Sequence, residues 1–213
     1  MHDDVSIFHQ RGTLARQLIL LFHGADGAAA DLQALGSVVA QRFAQAWVLS
    51  LPAPEAPGAG AGRSSFSVSG LDDAQRALRV AQALPGFVQA VRHWQREAGV
   101  GAGATTLIGF SQGAIIALES TQQPVRVAAR VIAIAGRFAT APRLGPIGTT
   151  LHLMHGLGDR RMPSRLSVDA AERLRALGAS VTLDLFPSLA HEIDARVLER
   201  VVQRLQGQAA IAP

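Results

Sequence analysis

The sequence predicts an α/β fold, with a mostly parallel central sheet flanked by helices on both faces. Three observations carry this. Short apolar runs recur along the 213 residues. They are continuous rather than alternating, as strands covered on both faces require. Longer amphipathic segments fall between them, the alternation that builds parallel sheets through helical crossovers. A glycine-flanked serine also sits where one apolar run gives way to a helical pattern.

Val5 to Phe8 offers a possible extra strand at the amino terminus, and Gln17 to Phe22 (QLILLF) reads as a buried one. Leu32, Leu35, Val38 and Val39 then share one face of a helix that ends near Phe43. Trp47 to Leu51 is the next strand. Pro52 to Gly62 (PAPEAPGAGAG) has the composition of a linker. The strand–helix alternation continues on both sides, however, and about 45 residues before it are too few for a domain of usual size. A long surface loop is expected.

Asp72 to Glu97 is helical by period, with Leu78, Ala81, Leu84, Val88, Val91 and Trp94 in register. Pro85-Gly86 interrupts it, giving either a kinked helix or two helices. Thr105 to Phe110 is a strand leading into a helix over Ala114 to Ser120. Val127 to Ala135 and Leu151 to Met154 are further strands. Val168, Ala171, Leu174 and Leu177 form a helical stripe stopped by Gly178. Val181 to Phe186 is the last strand. The final helix buries Val197, Leu198, Val201, Val202 and Leu205. Asp194 is its expected N-cap, and Arg196, Glu199, Arg200 and Arg204 form its outer face. No internal repeat recurs at a fixed period. The expectation is one domain over residues 1–213 with a short flexible tail from about 207.

Absences narrow the chemistry. The chain has no Cys and no Tyr, and it also lacks Lys and Asn, so all 20 basic residues are arginine. Thiol nucleophiles, Zn–Cys sites, disulfides, Schiff-base lysines, P-loop lysines and Ser–Lys dyads all fall away. Nucleophilic catalysis must rest on Ser, Thr, Asp, Glu or His. The pI of about 11.2 arises because almost nothing titrates between histidine and arginine, and the net charge is only +4. Arginines are scattered, with Arg160-Arg161 the longest run, so no nucleic-acid partner is expected. The acidic start Met1-His2-Asp3-Asp4 has no signal-peptide pattern, and no apolar run approaches membrane-span length. A cytoplasmic protein without stable membrane anchoring is the expectation.

Gly109-Phe110-Ser111-Gln112-Gly113 carries the chemistry. Between a strand and a helix this pattern is a nucleophile elbow. Two residues without side chains allow a turn tight enough to expose Ser111 Oγ. The Gln112 N–H, at a helix N-terminus, points at developing negative charge. Such a serine needs a base and an orienting acid, following in the order acid, then histidine. Of the histidines after Ser111, His152 lies within a strand and His155 at its end. His191 follows the last strand in a loop, at the sheet edge where active sites sit, and is the expected base. Asp159 is the only carboxylate in a comparable loop between the two, since Asp184 lies within a strand and Asp169 and Glu172 on a helix.

The loop His23-Gly24-Ala25-Asp26-Gly27 follows the early strand and offers Ala25 N–H as a second oxyanion donor. His23 is expected to shape that loop by a hydrogen bond. A metal site from His23, His155 and His191 lacks any supporting spacing, so none is expected. Arg160-Arg161 is either solvated loop charge or a contact for an anionic substrate group.

The segments LLFHGADGAAADL, GRSSFSVSG, GVGAGATTLIGFSQGAIIALES, HLMHGLGDRRMP and SLAHEID together resemble the phospholipase/carboxylesterase family of α/β hydrolases. The resemblance runs from about Gln17 to Gln206. It implies a lidless α/β-hydrolase domain and a serine hydrolase without cofactor. In it Ser111 is the nucleophile, Asp159 the acid, His191 the base, and Ala25 and Gln112 the oxyanion donors. It also implies that Phe66, in the family's groove-bordering loop, lines the acyl site. Three departures stand out: Ala190 where many relatives have Gly, Arg161-Met162 in place of a hydrophobic pair, and Ser65-Phe66 in place of Trp-Phe. These alter groove walls and rim without removing a catalytic group.

The expected activity is hydrolysis of small carboxylic esters with short-chain acyl or aryl groups. A lysophospholipase or acyl-protein thioesterase is the alternative, and a catalytically silent hydrolase-fold binding protein an alternative of another class. The expected partner is a small-molecule ester. The sequence leaves a homodimer open.

Overall fold

Seven strands form one sheet in a computed structural model that describes residues 5–9, 15–25, 27–52 and 72–207. The strands are β1 (Ser6–His9), β2 (Gln17–Phe22), β3 (Ala46–Leu51), β4 (Thr105–Phe110), β5 (Arg130–Ile134), β6 (Thr150–Gly156) and β7 (Val181–Phe186). Their order is β1-β3-β2-β4-β5-β6-β7. Only β1 runs antiparallel, against β3; every other pairing is parallel. The helices are α1 (Gln33–Arg42), α2 (Asp73–Ala98), α3 (Gln112–Ser120), α4 (Arg165–Ala176) and α5 (Ala195–Gln206).

The two-residue period of a strand divides the core into two layers. Leu18, Leu20 and Phe22 of β2 pack with Trp47, Leu49 and Leu51 of β3 on the face covered by α2, α3 and α4. Ile19 and Leu21 point the other way, joining Val48, Ile132 and Met154 under α1 and α5. Both faces of β2 are buried, which is why its sequence is a continuous apolar run rather than an alternation.

Helix α2 is a single helix that passes through Pro85. Proline removes one N–H and so one bond to the Ala81 carbonyl. Ala81, Pro85 and Gly86 all lie on the exposed side, where a carbonyl without its helical partner is not buried and the helix can continue. The buried face is Val80, Ala83, Leu84, Phe87, Val91, Trp94 and Ala98, and the Phe87 ring lies 4.6 Å from that of Phe22. Leu78 and Ala81, expected on this stripe, are exposed. Their three-residue spacing drifts off a face that repeats every 3.6 residues.

Strand β5 is shorter than the apolar run Val127 to Ala135, though Val127 and Ala128 are buried. Asp194 caps α5, accepting from Val197 N–H at 3.1 Å. Arg200 and Arg204, expected on a solvated outer face, instead fold onto the buried carboxylate of Asp184 in β7. Arg204 grips it with two bonds, of 3.0 and 2.7 Å. No described helix is long and apolar enough to cross a membrane. The loop expected over Pro52 to Gly62 lies, after Pro52, outside the described residues, as does the expected tail after Gly207.

Candidate active site

Ser111 joins β4 to α3 with φ 54° and ψ −114°. A non-glycine residue held there stores on the order of 1–3 kcal/mol of strain, so its surroundings must hold it. Its N–H donates to Ile134 O at 2.9 Å, and its own carbonyl accepts from Ala114 N–H and Ile115 N–H at 3.0 and 3.1 Å. The two flanking glycines are required by space. A Cβ on Gly109 would lie 2.4 Å from the Gly113 backbone, and one on Gly113 would lie 2.2 Å from Phe22 O. The Gly113 N–H also donates to His23 O at 3.1 Å, tying the loop after β2 to the start of α3.

His191 and Asp159 come from loops after β7 and β6 that are stitched together. Leu157 N–H donates to Phe186 O at 3.0 Å, and Gly158 N–H to Leu189 O at 2.9 Å. Leu189 is buried and anchors the later loop. The Asp159 side chain is fully buried. Its Oδ2 lies 2.7 Å from His191 Nδ1, while His191 Nε2 lies 2.8 Å from Ser111 Oγ. A carboxylate only accepts, so Nδ1 carries the proton and Nε2 presents its lone pair to the serine hydroxyl.

The other oxygen of Asp159 accepts from Arg161 N–H and Met162 N–H, each at 2.9 Å. Burial pushes the Asp159 carboxyl up. The Met162 N–H, the His191 imidazole and the Arg161 N–H outweigh that and hold it below the ordinary carboxylate range. The acid is thus ionised.

His155 is a further member of this group. It is buried in β6, and its Nε2 lies 2.8 Å from Met162 O and 3.3 Å from Asp159 Oδ2. Its Nδ1 lies 2.7 Å from Ser167 Oγ of α4. Burial holds its imidazole below the ordinary histidine value, against the opposing pull of Met162 and Asp159. The sequence offers His155 as a base and as a metal ligand, and neither role fits its place here. The signal that would have found it is its place four residues before the acid, at the end of a buried strand.

Ala25 and Gln112 line the same cleft as Ser111 and His191, with a volume of about 320 Å³. A Cβ on Gly24 would lie 3.3 Å from Ser111 Cβ, so the first loop comes down directly on the serine. His23 is buried, with Nδ1 2.7 Å from Gly24 O, the loop-shaping contact expected of it. Arg161 lines the cleft, whereas Arg160 is not among its lining residues. Phe66 and Asp26 lie outside the described residues. A larger hollow of about 700 Å³ opens at the opposite edge, where β2, β4 and β5 begin. None of Ser111, Asp159 and His191 lines it. The described residues hold no cluster of three or more His, Asp or Glu placed to bind a metal ion.

The sequence pattern of the phospholipase/carboxylesterase family matches residues 4–208. Esterase YpfH of Escherichia coli (strain K12) is 42% identical over 192 residues, covering 90% of this chain and 83% of its own. The crystal structure of esterase PE8 superposes with a TM-score of 0.80 at 26% identity, over 90% of this chain and 92% of that one. A phospholipase/carboxylesterase from Dyadobacter fermentans DSM 18053 shares the fold with a TM-score of 0.74 at 19% identity, over 93% and 94% of the two chains.

Proposed function

The chain belongs to the phospholipase/carboxylesterase family of α/β hydrolases, and from that premise we propose a serine carboxylesterase that cleaves small carboxylic esters with short acyl or aryl groups. Family membership makes the protein a hydrolase of esterase type. The observation that carries the finer reading is the pair of contacts on one imidazole: Ser111 Oγ at 2.8 Å from Nε2 and Asp159 Oδ2 at 2.7 Å from Nδ1.

In this reading His191 Nε2 takes the Ser111 proton as Oγ bonds to the ester carbonyl carbon. The negative charge that collects on the carbonyl oxygen faces the N–H groups of Ala25 and Gln112. Collapse of the tetrahedral adduct breaks the bond to the alcohol, which leaves with the proton returned by His191, and an acyl-Ser111 remains. Water then gives a proton to His191 and its oxygen to the acyl carbon. A second collapse releases the acid and restores Ser111. Asp159 stays ionised, fixing the tautomer and balancing the imidazolium.

The test is hydrolysis of p-nitrophenyl acetate together with labelling by a fluorophosphonate probe. Wild-type protein should do both. Ser111→Ala should do neither while keeping the wild-type circular dichroism. Retained hydrolysis in the variant would refute the assignment, and an unlabelled wild type would revive a silent binding protein. Rates with lysophosphatidylcholine and a palmitoyl thioester, compared with those of short-chain esters, decide between the esterase and its lysophospholipase or thioesterase alternative.

A further inference from the structure

Three arginines from separate elements converge on the cleft that holds Ser111 Oγ and His191. Arg76 comes from the first turn of α2, Arg137 from the segment after β5, and Arg161 from the loop after β6. No Asp or Glu is among the described residues that line this cleft. Asp159, the nearest carboxylate in the catalytic group, is buried behind it and committed to His191 and two backbone N–H groups.

A guanidinium remains charged at any working pH. Three of them around about 320 Å³ raise a positive potential that a wall of low dielectric focuses into the cleft. Arg76 and Arg137 also make contacts of their own, and both line the cleft. An ester with an oxyanion within reach of the scissile carbonyl would neutralise the field and offer two oxygens to a planar donor fork. The chain as a whole carries only +4, so this local excess is not a sample of a uniformly basic surface.

We propose that this cleft selects carboxylic esters that carry a second, negatively charged oxyanion group, a carboxylate or a phosphate. The proposal deepens the serine-esterase reading and rests on it. The shared chemistry is an oxyanion, whether it sits on the acyl or on the alcohol side, and two substrate pairs separate those sources. Mono-4-nitrophenyl glutarate against its distal methyl ester probes the acyl side. 4-Acetoxybenzoate against methyl 4-acetoxybenzoate probes the alcohol side.

The readout is the ratio of kcat/KM for the anionic and the neutral member of each pair, on the full chain at low ionic strength. In at least one pair the anionic ester should lead by about tenfold, as one charge-assisted bond warrants. Added salt should erode that lead by screening. Arg161→Gln and Arg76→Gln should each lower the ratio by about tenfold, and Arg160→Gln, outside the cleft, should leave it unchanged.

Ratios near one in both pairs overturn the proposal, as does a ratio that neither Arg161→Gln nor Arg76→Gln moves. If a variant does not fold, the salt dependence of the wild-type ratio still decides: a lead insensitive to salt counts against it. Absent turnover of every ester with absent fluorophosphonate labelling would overturn the hydrolase reading and this proposal with it. Turnover of neutral esters without anionic preference would overturn this proposal alone.

Discussion

His155 and His191 both lie against Oδ2 of Asp159, at 3.3 and 2.7 Å. Their roles differ because their other partners differ. The Met162 carbonyl 2.8 Å from His155 Nε2 can only accept, so that nitrogen carries a proton and directs it at Met162 O and the edge of Asp159. His155 thereby pins the turn whose N–H groups hold Asp159 Oδ1. His155→Leu, close in volume, should lower kcat for p-nitrophenyl acetate by roughly tenfold to a hundredfold, the worth of a lost bond to a charged group. KM should change little, since nothing in the cleft is removed. An unchanged kcat in a folded variant would show that His155 acts in packing alone.

The elbow glycines and Gly86 should respond oppositely to alanine. Gly113→Ala places a methyl 2.2 Å from Phe22 O, and relief requires α3 to part from β2 beside Ser111. A cost of about 2–3 kcal/mol in urea unfolding is expected, as for an overpacked core, together with slower fluorophosphonate labelling. Gly86 lies inside α2 with nothing within 4 Å of the added methyl. Gly86→Ala should stabilise by roughly 0.5–1 kcal/mol through helix propensity and leave labelling unchanged. Equal effects of the two changes would contradict the space argument.

Local signals explain which parts were legible in the sequence. Gln17–Phe22, Thr105–Phe110 and Val181–Phe186 appear as strands with the bounds expected, because each apolar run ends at a turn or a glycine. Ser111, Asp159 and His191, which the sequence singles out, come into contact because each follows a strand at the same edge, a relation that element order alone encodes. Arg76 and Arg137 were not found. They reach the cleft through crossovers, and nothing local distinguishes them from other scattered arginines. The phase of α2 fails at Leu78 because steps of three residues back from Leu84 drift off the buried face, which passes through Val80 instead.

Asp184 also shows what a strand position hides. It shares a face with Phe186, beneath α5, and therefore carries its charge into the core. Arg200 and Arg204 reach across to it, with side chains 38% and 30% exposed. Because both cations can swing back to water, the expected cost of Asp184→Asn is about 1–3 kcal/mol, below that of a fully buried pair. Urea unfolding in low and high salt checks this. A loss that shrinks in high salt fits the ion pairs, and no loss at all would mean that neither contributes.

His152 should cost the protein stability in acid. It is buried on the same face of β6, with Nδ1 2.8 Å from Thr182 Oγ1. Burial, reinforced by Arg130 and Arg204, lowers its pKa to about 4 from the ordinary 6.5. The folded protein therefore refuses a proton that the unfolded chain accepts between these values. Stability should be full above about pH 6.5 and fall on acidification through the window down to about pH 4, where both states are protonated and the loss levels off. The window spans up to about 3 kcal/mol. Replacing the ring by Leu removes this titration and a buried Nε2 that has no partner among the described residues. Urea unfolding at about pH 7.5 and about pH 4.5 should show wild type losing stability and His152→Leu losing less, by about 2 kcal/mol. Parallel losses in the two proteins would place the acid sensitivity elsewhere: in His155, whose buried imidazole is likewise held below its ordinary value, or, at still lower pH, in carboxylates such as Asp159 whose folded form is held ionised.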